Sequence, residues 1–145
     1  MVVIERSAIL GYSAGDLYAL VNDVESYPSF LPWCDGAQVR PGEGRHTMAT
    51  IHINFRGIRQ QFTTRNLTEP DSLISMSLVS GPFRHLQGRW RFTPLGDAAC
   101  KVELRQEYEI ASRLLERVVG PVFNHIANTL MDSFAKRAEE IYGRR

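Results

Sequence analysis

Four histidines, two cysteines and a few polar side chains on otherwise apolar strands are the groups in this 145-residue chain that could do chemistry. His46, His52, His85 and His125 show no His-Glu-x-x-His or other metal-ligand spacing, and no Gly-x-Ser-x-Gly elbow supplies a nucleophile. His125 lies near the inner stripe of a C-terminal helix, where a hydrogen-bonded core histidine is expected. His85 sits beside a turn and is expected on the surface. Cys34 and Cys100 are too few for a disulfide scaffold and read as reduced, partly buried thiols. A thiol becomes nucleophilic beside a basic group, and the sequence places none next to Cys34. Gly42-Glu43-Gly44 is a hairpin turn and not a phosphate-cradling loop. These motifs describe a binding protein and not an enzyme, with no metal and no catalytic set.

The polar groups are more telling. In the strand from Ile58, one parity reads Ile58, Gln60, Phe62, Thr64, Asn66. In the last strand it reads Cys100, Val102, Leu104, Gln106, Tyr108. Gln60, Thr64, Gln106 and Tyr108 therefore share a dry face with Trp90 and Phe92. An unpaired buried amide costs about 1–3 kcal/mol, so a core built only for packing would avoid them. A few neutral polar groups in an apolar pocket orient a small ligand; a self-satisfied polar network is the competing explanation. On the wet face lie arginines. Lys101 and Lys136 are the only lysines, and residues 56–91 carry Arg56, Arg59, Arg65, Arg84, Arg89 and Arg91 against Glu69 and Asp71. The planar guanidinium fork suits phosphate, although a solvated outer face is the ordinary explanation of such a run.

The elements that must position these groups follow from periodicity. Residues 2–10 read as a strand. Ser13 caps a helix over about Ala14–Asn22, with Asp16 at the capping-box position and Tyr12 and Leu17 as a staple. The stretch VNDVESYPSFLPWC, residues 21–34, is apolar but broken by Pro28 and Pro32, so neither a long helix nor a central strand runs through it. A short strand around Gln38–Arg40 leads to Pro41, and Thr47–Phe55 turns through Arg56-Gly57 into a strand from Ile58 to about Leu67. Leu73–Val79, Phe83–Phe92 and Cys100–Ile110 follow, separated by Pro70-Asp71-Ser72, Ser80-Gly81-Pro82 and Pro94-Leu95-Gly96-Asp97. From Ser112 an apolar stripe at helical spacing runs Leu115, Val119, Val122, Ile126, Leu130, Phe134, Ala138, Ile141, and Gly120-Pro121 should kink or restart that helix.

A sheet with one apolar face needs a cover, and the long helix is the large one available. The expected architecture is α+β, a curved antiparallel sheet around one helix. The helix is narrower than the sheet, which leaves a gap beside it. Tyr27, Phe30, Leu31 and Trp33 are placed to line or roof that gap. With 43% hydrophobic residues and no run of about 18 apolar ones, the chain suits one domain over 1–145 without a transmembrane segment. The cytoplasm is the default location, and a net charge of +1 gives no reason to expect DNA as a partner.

The blocks YSAGDLYALVNDVESYPSFLPWC, FTTRN, GPFRHLQGRWRFTPL and CKVEL, with the closing helix, resemble the bacterial ribosome association toxin family over essentially the whole chain. That family is related to the mitochondrial coenzyme Q-binding proteins within the START-like, polyketide cyclase and lipid-transport superfamily. The resemblance implies the helix-grip fold, with a seven-stranded antiparallel sheet gripping a long C-terminal helix over a hydrophobic cavity. It also implies two functions. One is non-enzymatic binding of an isoprenoid quinone such as ubiquinone in support of respiration. The other is binding to the large ribosomal subunit so that subunits cannot join, with an antitoxin protein as a further partner.

For the first function, the tail would bury against Ile53, Phe62, Trp90, Phe92, Val122, Ile126 and Leu130. The ring would meet Gln60, Thr64, Gln106 or Tyr108 under the roof of Tyr27, Phe30, Leu31 and Trp33. For the second, Arg59, Arg65, Arg89 and Arg91 would meet rRNA phosphates, with binding that weakens steeply in salt. The polar groups on the dry face and the plugged mouth put the ligand reading first at this point.

Overall fold

The computed structural model describes residues 1–143. Seven antiparallel strands form one open sheet: β1 (Val2–Leu10), β2 (Cys34–Pro41), β3 (Thr47–Phe55), β4 (Ile58–Glu69), β5 (Leu73–Ser80), β6 (Phe83–Pro94) and β7 (Cys100–Ile110). Their order is β1-β7-β6-β5-β4-β3-β2, so a meander from β2 to β7 is closed by the first strand pairing with the last. Helix α1 (Ala14–Asn22) and a 3₁₀ segment (Val24–Ser29) precede β2, and helix α2 (Arg113–Tyr142) follows β7.

Local chemistry sets these boundaries. Ser13 Oγ accepts from Asp16 N at 3.1 Å, the cap expected from the sequence, and Ser112 Oγ accepts from Leu115 N at 3.1 Å at the start of α2. Arg56 and Gly57 both have positive φ, 51° and 82°. That backbone matches the strand twist across a two-residue hairpin, and the Arg56 guanidinium lies 4.9 Å over the Phe55 ring. Register shifts at Cys34/Gly36, Thr63/Thr64 and Phe83/His85 mark bulges where strands bend around the helix.

Three expectations need correction. β2 spans eight residues, not three, because pairing with β3 and not its own polar sequence holds it extended; Pro41 is tolerated at the end of an edge strand. α2 is not restarted at Gly120-Pro121 but runs for 30 residues, about 45 Å. Pro121 is exposed, so water can reach the Arg117 carbonyl that its missing N–H leaves unbonded. The apolar stripe ends at Ala138, since Ile141 is 49% exposed.

The core lies between the inner sheet face and the two helices. Val119, Phe123, Ile126, Ala127, Leu130, Phe134 and Ala138 of α2 meet Ile51, Ile74, Trp90, Val102 and Leu104 of the sheet. Among the described residues no helix is long and apolar enough to cross a membrane.

Candidate functional site

A cavity of about 110 Å³ remains between α2 and the sheet. Its floor comes from Ala49 and Ile51 of β3, Phe62, Thr64 and Asn66 of β4, Ile74 and Met76 of β5, Leu86, Gly88 and Trp90 of β6, and Gln106 and Tyr108 of β7. Its lid is Phe123, Ile126, Ala127, Leu130 and Phe134 of α2, and its roof is Val21, Asn22, Val24, Tyr27 and Trp33. None of these side chains is an acid, a base or a histidine.

Gly88 fits a crowded part of the cavity wall. A Cβ there would stand 3.2 Å from Gln106 Cγ and 3.3 Å from Met76 Cε, so those two side chains already close over the gap it leaves. Aromatic rings set the cavity's shape. Phe134 makes edge-on contacts with Tyr27, Phe30 and Trp90 at 5.3, 5.4 and 5.3 Å, tying helix, roof and sheet together. Phe83 packs against Phe62, Phe123 and Tyr108 at 5.8, 4.6 and 6.0 Å at the other end.

Polar groups sit within this wall. Thr64 Oγ1 donates to Asn66 Oδ1 at 2.7 Å, a polar pair bonded within the wall. Trp33 Nε1 is buried with no hydrogen-bond partner among the described residues. The Tyr27 hydroxyl donates to the Val21 carbonyl, while burial, then Asp23, pushes its pKa far up. Burial, then Glu116, raises Tyr108 as well. Both tyrosines therefore stay neutral hydroxyls and not bases.

Nine of the expected ligand residues line the cavity: Tyr27, Trp33, Phe62, Thr64, Trp90, Gln106, Tyr108, Ile126 and Leu130. Six do not. Gln60 has the right parity but sits at the hairpin end of β4, in an outer groove with Ile53, Asp35 and His52. Phe92 lies beyond the cavity, edge-on to Tyr18 of α1 at 5.9 Å. Phe30 forms an outer layer on Phe134 with the Arg137 guanidinium 5.0 Å over its ring. Leu31, 1% exposed, is packed into the core behind the roof, and Val122 is buried on the flank of the helix face that meets the cavity.

Phe83, Phe123 and Phe134 were missed. Phe134 was legible in the helical stripe, Phe123 falls one position off it, and Phe83 is turned inward by the bulge at the start of β6. His125 is also corrected: it is exposed and stacks on Phe55 at 5.0 Å instead of entering the core. Cys34 and Cys100 are free and buried, and burial pushes both thiols up, away from nucleophilic character.

The opposite face of the sheet gathers the arginines. Arg89 of β6 stands directly across from Arg105 of β7, Arg91 across from Glu103, and Arg65 of β4 across from Ser77. Two shallow depressions share Arg89 and Arg105. One adds His46, Arg65, Ser75, Ser77 and Gln87, the other Arg6, Arg91 and Glu103. Arg105 is held by Glu5 at 3.4 Å and Glu107 at 3.2 Å. Glu107 is kept below the usual carboxylate range by hydrogen bonds from His85 and Arg105. Among the described residues Arg65, Arg89 and Arg91 have no carboxylate within ion-pair distance. Arg59 lies apart, beside the outer groove of Gln60.

Similarity to known proteins agrees with this geometry. A family model described as polyketide cyclase / dehydrase and lipid transport matches residues 10–135. A ribosome association toxin of Vibrio cholerae is 44% identical over 140 residues, 97% of each chain. A mitochondrial coenzyme Q-binding protein homolog of Xenopus laevis is 27% identical over 96% of this chain and 59% of its own length. The crystal structure of an aromatase/cyclase from Streptomyces superposes with a TM-score of 0.76 at 17% identity, covering 95% of this chain and 93% of that one, which shows the shared fold. By the family match and the near full-length identity, the chain belongs to the polyketide cyclase / dehydrase and lipid transport family and, within it, to the family whose curated relatives are named ribosome association toxins.

Proposed function

We propose that this protein associates with the large ribosomal subunit through the outer face of β4–β7 and so blocks subunit joining in the cytoplasm. The observation that carries this reading is the cluster of Arg65, Arg89 and Arg91, unpaired and exposed around the Arg89–Arg105 pair. Arg105 is already offset by Glu5 and Glu107, so Arg65, Arg89 and Arg91 are the guanidinium groups left to take phosphate oxygens. The name carried by the 44% identical relative supports the same reading. The test is co-sedimentation with purified large subunits. Replacing Arg89 and Arg91 with Ala should abolish it while thermal stability stays nearly unchanged, and wild-type binding should fall steeply between about 50 and 200 mM salt. Unaltered co-sedimentation of the double variant would return these arginines to a solvated surface.

A second reading rests on the cavity, whose wall carries no charge. It fits non-enzymatic binding of a hydrophobic ligand, and the 27% identical coenzyme Q-binding relative supports a quinone. A dry cavity of about 150 Å³ takes one benzene, so at about 110 Å³ this cavity must widen at the roof to admit a head-group ring, and an isoprenoid tail would leave by the same route. Mass spectrometry of lipids that co-purify with the folded protein tests this; absence of any quinone or related ring lipid counts against it.

A further inference from the structure

Ribosome association leaves the Trp33 indole without a role. Trp33 is 6% exposed, lines the cavity, and buries Nε1 without a hydrogen-bond partner among the described residues. Its backbone is pinned on both sides, because Asn54 N donates to Trp33 O at 2.9 Å and Cys34 N donates to Leu31 O at 3.0 Å. The ring lies in the wall with its N–H out of reach of solvent. Arg137 Nε is the other buried side-chain polar atom without a partner among the described residues, but its guanidinium still bonds Glu140 through NH1 at 3.3 Å. The indole has a single polar atom, and it is a donor only.

The remaining polar wall atoms do not answer it. Thr64 and Asn66 bond each other, Oγ1 to Oδ1 at 2.7 Å, within the same wall. We infer that the cavity binds a neutral ring through an oxygen acceptor taken by the Trp33 N–H, and that Trp33 decides which ligands enter. This rests on the hydrophobic-ligand reading and narrows it. A carboxylate would supply the acceptor but would be buried with no cation in the wall, and an ammonium would meet donors and aromatic faces with no counter-charge. A hydrocarbon ring would fill the space and leave the N–H unmet.

Three single-ring probes of similar shape separate these cases: acetophenone, α-methylstyrene (CH₂ in place of the oxygen) and benzoate at pH 7. Two tryptophans give two indole N–H resonances, and Trp33→Phe identifies the Trp33 signal by its loss. Acetophenone should bind saturably and move the Trp33 N–H proton downfield, α-methylstyrene should bind without that movement, and benzoate should not bind. In Trp33→Phe, which keeps an aromatic ring in the wall, affinity for acetophenone should fall about tenfold, the scale of one hydrogen bond, while that for α-methylstyrene holds. Equal affinity of the two neutral probes with a stationary Trp33 proton would overturn the assignment and leave the cavity reading standing. Tighter binding of benzoate would also overturn it. No response of any wall resonance to either neutral ring would overturn both. The wild-type titration decides the matter even if the variant folds poorly.

Discussion

Replacing Phe134 tests whether the roof is seated on the helix by aromatic geometry. Phe134 is 4% exposed and touches three rings, Tyr27, Phe30 and Trp90, each edge-on at 5.3–5.4 Å with interplanar angles of 71°, 71° and 80°. Phe134→Ala removes the ring beside an existing cavity of about 110 Å³, so the new space joins the old and the roof loses its support. Core Phe→Ala changes cost about 3–5 kcal/mol, and this site should fall at the upper end because the three rings stand on one another. Phe134→Leu keeps most of the volume and loses the edge-on pairs, worth about 0.5–1.5 kcal/mol each, so about 2 kcal/mol is expected after partial replacement. Urea unfolding followed by circular dichroism measures both, with the slope unchanged. In a chain of this length the Ala variant should melt roughly 10–15 °C lower. A Leu variant within about 0.5 kcal/mol of wild type would show that the rings merely fill space, and the argument would fail.

Other substitutions probe independent features. Gly81 has φ +147°, and a Cβ there would stand 2.6 Å from Phe62 Cβ, so Gly81→Ala should lose about 2–3 kcal/mol in urea unfolding; a neutral result would show that the β5–β6 turn relaxes freely. Ser112→Ala removes the acceptor for Leu115 N and should cost about 1 kcal/mol by the same measurement, with α2 otherwise intact by circular dichroism. Alkaline pH should destabilise the fold. Tyr108 is 4% exposed and its folded pKa is raised, so its contribution is complete below the unfolded value of about 10 and is lost as pH rises through 10 toward the folded value. Urea midpoints at pH 8, 10 and 11 should fall less steeply for Tyr108→Phe than for wild type, and parallel slopes would refute this.

Much of the fold was written in local chemistry. Ser13, Arg56-Gly57, the Pro-Asp-Ser and Ser-Gly-Pro breaks and the switch from period two to helical spacing at Ser112 each act over a few residues, and the elements begin and end where these signals lie. The inward parity of β4 and β7 was also legible, since alternation is a property of a strand by itself. What alternation cannot carry is depth. Gln60 and Thr64 share one parity, yet one borders an outer groove and the other the cavity, because α2 covers only part of a twelve-residue strand. Phe92 and Trp90 differ in the same way, since α1 covers the former. Pairing extended β2 beyond its own weak signal, and a bulge turned Phe83 inward while Arg84 stayed exposed to pair with Glu109 at 3.2 Å. The arginines were visible as a run in the sequence. Only strand order placed Arg89 against Arg105 and set Arg59 aside, and only packing left the Trp33 N–H buried without a partner among the described residues, because both depend on residues far apart in the chain.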